Sequence, residues 1–312
     1  MHRFGFVFPG QGSQKLGMLG QLADQYPAII DTFNEASAVL GQDLWEISQR
    51  DPQNTLDQTH VTQPALLTAS VAIWRLWMNE KGPEPAILAG HSLGEYSALV
   101  CSGVLKFTDA VKLVKQRGEY MQNTVPLGTG AMAAIVGLDD YRIREICAEV
   151  AGQEVVSAAN FKSPGQTVIA GNKAAVERAM ESCKKAGAKR ALPLNVSVPS
   201  HCDLMKPAAK MLARELDAVQ FQPASIPVVQ NVNAQIAVEP EEIKLNLVKQ
   251  LFNPVLWVDS IRLMHQGGIS KVIECGSGKV LCGLVKRIEP EVAAFGTEDS
   301  QSFLQAKAEV SV

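Results

Sequence analysis

The sequence predicts an α/β fold with a mainly parallel sheet, and two observations support this prediction. Short apolar runs typical of buried strands alternate with longer segments of helical periodicity over most of the 312 residues. Strands that alternate with helices form parallel sheets covered on both faces. The second observation is a change of pattern after residue 129, where predicted strands follow one another more closely. This change predicts a smaller domain inserted into the larger one.

The large domain begins with residues 1–129. Its first predicted strand leads into a glycine-rich loop, and its second leads into a sharp turn. The predicted strands lie at 4–8 and 86–89, and helical patterns reach residue 40 and then occupy 63–78, 95–101 and 107–121. These elements supply the first half of a sheet with helices on both faces.

The inserted domain is predicted to span residues 130–198, after a glycine-rich linker at 128–130. The order of its elements is strand, helix, strand, strand, helix, strand. This is the order of a ferredoxin-like (βαββαβ) domain. The predicted strands lie at 131–138, 154–161, 166–170 and within 190–198, and the predicted helices at 141–151 and 173–186.

Residues 199–312 return to the large domain. We predict a helix that opens at His201 and runs to about Val219. Further strands are predicted at 226–230 and 271–275, and further helices at 241–252 and 258–265. The tail beyond Gly296 is short, and the sequence says little about it.

Composition and charge exclude several classes of protein. The net charge of −3 disfavours nucleic-acid binding. The chain has no apolar run long enough to span a bilayer and no signal-peptide pattern, so we expect a cytoplasmic protein. The six cysteines contain no C-x-x-C pair, which disfavours both a disulfide framework and a zinc site. We expect no bound metal, and nothing in the sequence requires more than a monomer.

The pentapeptide GHSLG at 90–94 stands between a predicted strand and a predicted helix, the setting of a nucleophile elbow. Its two glycines let the backbone bend without a Cβ clash, and the amide after the serine can stabilise an oxyanion. The pattern predicts Ser92 as a nucleophile for acyl transfer in an α/β-hydrolase-like large domain. The alternative is a plain turn in which Ser92 caps the helix. The flanking strand and helix favour the elbow.

A serine hydroxyl needs a neighbouring base, and the chain offers five histidines. His201 is the candidate, because a helix start disfavours imidazolium and keeps the ring neutral. The alternative is a histidine at a helix start without a partner. The others have simpler explanations: His2 lies at the terminus, His60 in a predicted loop, His91 on the turn itself and His265 at a helix end. No acid at hydrolase-like spacing stands out, so a backbone carbonyl could orient the imidazole.

The oxyanion site needs a second donor. The glycine-rich loop after the first strand leaves the sheet at the edge where ligands bind in open α/β folds, so the backbone N–H of Gln11 is a candidate. The other interpretation is a phosphate-binding loop. The patterns G-x-x-x-x-G-K-[ST] and, in the appropriate place, G-x-G-x-x-G are absent, which disfavours a nucleotide site.

Together these motifs resemble the malonyl-CoA:acyl carrier protein transacylases of bacterial type II fatty-acid synthesis, over essentially the whole chain. The motifs are FPGQGS at 8–13, TQPA at 62–65 before the long helix, GHSLGEY at 90–96, QRG at 116–118, NF at 160–161, PSH at 199–201 and ECGSG at 274–278. One departure is Ser277, where the family commonly has proline. It affects loop rigidity but none of the proposed catalytic atoms.

The resemblance implies a role for each site residue. Ser92 is the nucleophile, His201 the base, and the amides of Gln11 and Leu93 the oxyanion hole. Arg117 holds the malonyl carboxylate, Asn160 lines the acyl pocket, and Gln250 offers its backbone carbonyl to His201. The implied reaction is ping-pong, with malonyl-CoA and acyl carrier protein as partners and no cofactor.

The chemistry of Arg117 agrees with this role, since a guanidinium grips a carboxylate through two parallel hydrogen bonds. Without the resemblance, a solvated helix arginine is the simpler interpretation. An acidic carrier protein would dock on a basic surface, and two clusters are candidates, although both could be ordinary solvated faces. The clusters are Lys184, Lys185, Lys189 and Arg190, and Lys279, Lys286 and Arg287.

Two rival functions remain open on the sequence. One is a serine thioesterase or esterase of α/β-hydrolase type, which leaves Arg117 unexplained. The other is a carrier-binding scaffold without chemistry. Methylmalonyl carries the same carboxylate as malonyl, so the sequence does not distinguish these two acyl groups.

Overall fold

The computed structural model describes residues 3–196 and 198–311, which leaves His2 outside the described ranges. Its strands are β1 (Arg3–Phe8), β2 (Ile87–Gly90), β3 (Gly130–Val136), β4 (Val156–Ser163), β5 (Gln166–Asn172), β6 (Arg190–Pro193), β7 (Val228–Val229), β8 (Ile236–Ala237), β9 (Ile269–Glu274) and β10 (Ala293–Gly296). The helices are α1 (Gly20–Gln25), α2 (Pro27–Leu40), α3 (Leu44–Arg50), α4 (Thr59–Asn79), α5 (Leu93–Cys101), α6 (Phe107–Thr124), α7 (Asp140–Ala151), α8 (Lys173–Lys185), α9 (Lys206–Ala218), α10 (Pro240–Gln250), α11 (Trp257–Gln266), α12 (Val280–Ile288) and α13 (Ser300–Val310).

The larger sheet has six strands in the order β10-β9-β1-β2-β7-β8. All its neighbours pair in parallel except β8, which is antiparallel to β7. This mixed, mainly parallel sheet confirms the predicted α/β class. Phe8 pairs with Gly90, and Val7 with Glu274, so β1, β2 and β9 end at one edge. The loops that follow these strands meet there, as expected for a ligand site in an open α/β sheet.

The smaller sheet is antiparallel, with the order β4-β5-β3-β6. Its elements follow one another as β3, α7, β4, β5, α8 and β6. An apolar cluster that includes Ile135, Ile143 and Val176 joins its strands to α7 and α8. The sheet is tied to the larger unit at β4, because Val255 donates to the carbonyl of Ala159 and accepts from the amide of Phe161.

Packing explains where the observed helices differ from the prediction. The predictions of a loop at His60 and of a motif 62–65 ahead of the helix are wrong, because α4 begins at Thr59. Most side chains of α4 up to Trp77 are buried, so tertiary packing outweighs the helix-breaking tendency of Pro64. The C-terminal α13 was not predicted; its Phe303 packs edge-on against Trp77.

The helix predicted to open at His201 begins later. A 3-10 turn spans Asp203–Met205, and α9 starts at Lys206 with a proline in its first turn. His201 instead has a left-handed backbone conformation, with φ of 63°. A helix dipole therefore does not act directly on its ring, and another cause must keep the imidazole neutral.

Candidate active site

The elbow around Ser92 is a strained turn between β2 and α5. Ser92 has φ of 53° and ψ of −108°, outside the helical and extended regions. Gly90 and Gly94 make the turn possible: a Cβ on Gly94 would lie 2.0 Å from the carbonyl oxygen of Phe8, and one on Gly90 would lie 1.9 Å from the carbonyl carbon of Gly94. The elbow is therefore packed directly against the end of β1.

Asn231, just after β7, holds the elbow through two hydrogen bonds to its backbone. Its Oδ1 accepts from the amide of Ser92 at 2.7 Å, and its Nδ2 donates to the carbonyl of Gly90 at 2.6 Å. These two hydrogen bonds hold the backbone on both sides of His91. They also occupy the amide of Ser92, so that it does not face a ligand.

His201 approaches Ser92 from the segment that follows the small sheet. Its Nε2 lies 2.9 Å from the Oγ of Ser92, and its Nδ1 lies 2.7 Å from the carbonyl oxygen of Gln250. Because a carbonyl only accepts, Nδ1 carries the proton and Nε2 presents its lone pair to the hydroxyl. Burial, and next the charge of Arg117, lowers the pKa of His201 to about 4. These two causes replace the predicted helix dipole.

Arg117 lies on α6 and is only 1% exposed. Its Nη1 donates to Oε1 of Gln63 at 2.7 Å, and its Nη2 donates to Oε1 of Gln250 at 2.9 Å. Nη2 also lies 3.3 Å from the Oγ of Ser92. The guanidinium carbon lies 5.5 Å from the centroid of the Tyr96 ring. Burial lowers the pKa of Arg117, and its hydrogen-bond acceptors are neutral, so its charge is available to an anionic ligand.

The candidate oxyanion donors lie beside the hydroxyl. The amides of Gly94 and Glu95 donate to the carbonyls of His91 and Ser92, whereas Leu93 is the first residue of α5, whose amide needs a partner outside the helix. The loop with Gln11 touches the elbow, because a Cβ on the adjacent Gly10 would lie 2.4 Å from the carbonyl oxygen of His91. Gln11 and Leu93 both line the cavity at Ser92.

This cavity, of about 110 Å³, lies between the two sheets. The larger unit contributes Ser92 and His201, and the smaller one Met132, Asn160 and Lys162. The Nδ2 of Asn160 lies 2.9 Å from Nε2 of His91, so this amide is already engaged. Burial, and next Lys162, lowers the pKa of His91 to about 3, which keeps that ring neutral as well.

Sequence reasoning missed four polar residues of the site: Gln63, Glu95, Asn231 and Lys162. Gln63 and Glu95 belong to quoted motifs but received no role. A polar side chain inside an apolar helical segment was the available signal for both. Asn231 follows β7 and Lys162 lies near the end of β4, and no local pattern indicates that the first contacts Ser92 or that the second lines its cavity.

Within residues 3–196 and 198–311, no cluster of three or more His, Cys, Asp or Glu side chains is arranged to hold a metal ion, and no helix could cross a membrane.

Ser277 is fully buried, and its hydroxyl has no hydrogen-bond partner among the described residues. The neighbouring Gly276 and Gly278 have positive φ values, so the loop relies on glycine on both sides of Ser277.

An elbow serine, a neutral imidazole and a buried guanidinium around one cavity define an acyl-transfer site. A family model described as "Acyl transferase domain" matches residues 5–286, and the chain belongs to this family. Two curated relatives are both malonyl CoA-acyl carrier protein transacylases. The Escherichia coli protein is 55% identical over 306 residues, covering 98% of this chain and 99% of the relative; the Haemophilus influenzae protein is 56% identical over 305 residues, covering 97% of each.

Solved structures agree with the sequence relatives. One shows a type II PKS acyl-carrier protein in complex with its malonyl-transacylase, with a TM-score of 0.97, 53% identity and coverage of 98% of this chain and 99% of that one. Another is an acyl carrier protein S-malonyltransferase from Vibrio cholerae, with a TM-score of 0.96, 55% identity and coverage of 97% and 99%. These comparisons confirm the resemblance found in the sequence.

Proposed function

We propose that this enzyme transfers the malonyl group of malonyl-CoA to the phosphopantetheine thiol of acyl carrier protein, and so supplies malonyl units for fatty-acid elongation. One observation carries the proposal. The Oγ of Ser92 lies 2.9 Å from a neutral imidazole nitrogen of His201 and 3.3 Å from the guanidinium of Arg117. A nucleophile, its base and a cation that fits a carboxylate therefore meet at one point. The names of the relatives and of the carrier-protein complex support the same substrates.

In the first half-reaction, Nε2 of His201 takes the proton of Ser92 as Oγ attacks the thioester carbon of malonyl-CoA. The amides of Leu93 and Gln11 hold the resulting oxyanion, and loss of one such donor typically costs about 3 kcal/mol. The carbon–sulfur bond then breaks, and the imidazolium returns its proton to the sulfur of CoA. The product is a malonyl-Ser92 ester.

The second half-reaction reverses these steps with a different thiol. His201 takes the proton of the phosphopantetheine thiol as its sulfur attacks the ester carbon. The carbon–oxygen bond to Ser92 breaks, and Ser92 recovers the proton from the imidazolium. The carbonyl of Gln250 orients the ring throughout, since its hydrogen bond fixes the proton on Nδ1.

Binding of the acyl group divides between two sides of the cavity. Arg117 holds the malonyl carboxylate, and a partly buried pair of this kind discriminates by about 2–5 kcal/mol against an acyl group without the charge. Asn160 of the smaller sheet also lines the cavity, and its amide is held by His91. Methylmalonyl keeps the same carboxylate, so competition between malonyl-, methylmalonyl- and acetyl-CoA decides the acyl specificity.

The rival function is a serine thioesterase. Such enzymes usually have an acid as the third member of the catalytic triad, whereas here the Gln250 carbonyl orients His201. Hydrolysis of acyl groups without a carboxylate would also give Arg117 no role. The deciding experiment follows malonyl-CoA with and without acyl carrier protein. We expect malonyl-carrier protein to form much faster than free malonate. Rapid loss of malonyl-CoA to water without carrier protein would support the thioesterase instead.

We further propose an α/β-hydrolase-like large domain of residues 1–129 and 199–312, with a ferredoxin-like domain of residues 130–198. The strand order β4-β5-β3-β6 and the placement of α7 and α8 support the second assignment. The cytoplasmic location, the monomeric state and the lack of a cofactor stay predictions.

A further inference from the structure

Glu95 is a buried carboxylate directly beneath the elbow, and the mechanism above does not use it. Its side chain is 1% exposed. Its Oε2 accepts from Nε2 of Gln250 at 2.8 Å and from the amide of Asn231 at 3.1 Å. Its Oε1 has no hydrogen-bond partner among the described residues. A carboxylate in such a place needs an explanation, because acidic side chains are rarely buried without a partner of opposite charge.

The nearest cation belongs to Arg117, and a single amide separates the two charges. Oε1 of Gln250 accepts from Arg117, while Nε2 of the same amide donates to Glu95 and to the carbonyl of Ser92. This orientation of the amide is the only one that pairs donors with acceptors, since a flipped amide would face two acceptors with its oxygen. Within the described residues, Arg117 forms no direct ion pair.

We propose that Glu95 is the counter-ion of Arg117, acting through the amide of Gln250, and that its charge moderates how strongly the site holds an acyl carboxylate. Glu95 is thus a positioning residue, since it touches neither the substrate nor the reacting atoms. The proposal rests on the proposed function, in which the malonyl carboxylate binds Arg117. With Glu95 ionised, the malonyl carboxylate is the second negative charge around one guanidinium. Because Arg117 then binds the malonyl carboxylate less tightly, the acyl group can leave with the carrier thiol.

The charge of Glu95 changes within the working range of pH. Burial raises its pKa to about 7, against the opposing effects of Gln250, Asn231 and Arg117. The other titratable groups around Glu95 do not change their protonation between pH 6 and pH 8. Burial raises the pKa of Tyr96 far above neutral, and the pKa of His201 is lowered to about 4. Glu95 is therefore mostly neutral at pH 6 and mostly ionised at pH 8. The preference for malonyl over acetyl should fall between these values.

The test compares wild type with Glu95→Gln in a competition between equimolar malonyl-CoA and acetyl-CoA. The early ratio of malonyl- to acetyl-Ser92 is read by intact mass. Glutamine keeps both hydrogen bonds through its side-chain oxygen, removes the charge and puts an amide nitrogen in place of the unpartnered Oε1; the control below makes the same exchange at another buried glutamate. At pH 8 we expect the ratio to rise on the order of tenfold in the variant, the size expected for two carboxylates on the order of 10 Å apart, on either side of one guanidinium, at an effective dielectric constant of about 20. At pH 6 the two proteins should agree.

Glu274→Gln is the matched control. Glu274 is also fully buried and has a pKa raised to about 7 by burial, but it lies at the end of β9, two strands from β2, and accepts from the amide of Cys282. This variant should keep the wild-type ratio at both pH values. An unchanged or lower ratio in Glu95→Gln at pH 8 would overturn the proposal for Glu95.

Failure of the proposed function and failure of the role of Glu95 give different results in these experiments. Absence of any malonyl adduct in the wild type would contradict the proposed function itself. If Glu95→Gln does not fold, the wild type decides, because its ratio should fall several-fold from pH 6 to pH 8 as Glu95 changes from mostly neutral to mostly ionised. Lys162 also lines the cavity, and burial lowers its pKa, so a Lys162→Met variant should retain that fall. A flat wild-type profile, or loss of the fall in Lys162→Met, would overturn the role of Glu95.

Discussion

Gln250 contributes three hydrogen-bonding groups to the site, each directed at a different task. Its backbone carbonyl fixes the proton on Nδ1 of His201. Its side-chain oxygen accepts from Arg117, and its side-chain nitrogen donates to the carbonyl of Ser92. One fully buried residue therefore couples the base, the acyl-binding cation and the elbow.

Replacement of Arg117 by alanine should abolish the preference for malonyl. Loss of the guanidinium removes the partner of the carboxylate, so malonyl transfer should fall on the order of 10²- to 10³-fold while acetyl transfer rises relative to it. Transfer rates with malonyl-CoA and acetyl-CoA measure this. Arg117→Lys, which keeps the charge but loses the two-pronged geometry, should lie between wild type and alanine. Survival of the malonyl preference in Arg117→Ala would place the carboxylate site elsewhere.

The pH dependence of acylation should reveal a histidine that stays neutral in acid. His201 acts as a base only when unprotonated, and its pKa is lowered to about 4. At saturating malonyl-CoA, the rate of Ser92 acylation should therefore hold as pH falls through the usual histidine range and drop only near pH 4. Rapid-quench measurements of the adduct give this profile. A midpoint near the ordinary histidine pKa would mean that the ring is less buried than described.

At the scale of elements, the elbow depends on the close approach of α5 to the end of β1. Gly94→Ala would place a Cβ 2.0 Å from a backbone oxygen, which no side-chain movement relieves. We expect a loss of more than about 3 kcal/mol in the free energy of unfolding, measured by denaturant titration. Gly283→Ala is the control: it lies within α12 with open space around it, so alanine should stabilise by up to about 1 kcal/mol. Equal effects of the two substitutions would contradict the packing described here.

Local elements could be predicted from the sequence, whereas contacts between distant elements could not. The elbow could be predicted because its strand, turn and helix lie within one short stretch of sequence. The contacts of Asn231 with Ser92 and Glu95 could not, because they join residues 136 to 139 positions apart and depend on the strand order β1-β2-β7. The short strands β8 and β10 were missed for a similar reason. Pairing with a neighbour, rather than hydrophobic period, defines them.

For the molecule as a whole, residues of both sheets line the cavity at Ser92, so we expect a carrier protein to dock near the boundary between them. Lys286 and Arg287 are exposed on α12, and Arg287 donates to Gln166 of β5 across the boundary. The second basic cluster, at Lys184, Lys185, Lys189 and Arg190, precedes the segment whose Leu194 and Val196 line the cavity. Both clusters stay predictions as carrier-docking surfaces.

Charge reversal separates docking from chemistry, because the two half-reactions are measured independently. In Lys286→Glu/Arg287→Glu and in Lys184→Glu/Lys185→Glu, the KM for acyl carrier protein should rise several-fold at low salt, and the difference from wild type should shrink as salt screens the charges. Acylation by malonyl-CoA alone should remain close to wild type. A KM for the carrier that is unchanged by both double substitutions would exclude these clusters from docking.

The central claim is that Ser92 carries the malonyl group between two thiols. Its most direct measurement is the intact mass of the protein after brief exposure to malonyl-CoA, followed by a chase with acyl carrier protein. We predict one malonyl adduct that maps to Ser92, disappears on the chase as malonyl-carrier protein forms, and is absent in Ser92→Ala. An adduct that persists in Ser92→Ala, or transfer by a wild type that never forms one, would contradict the account.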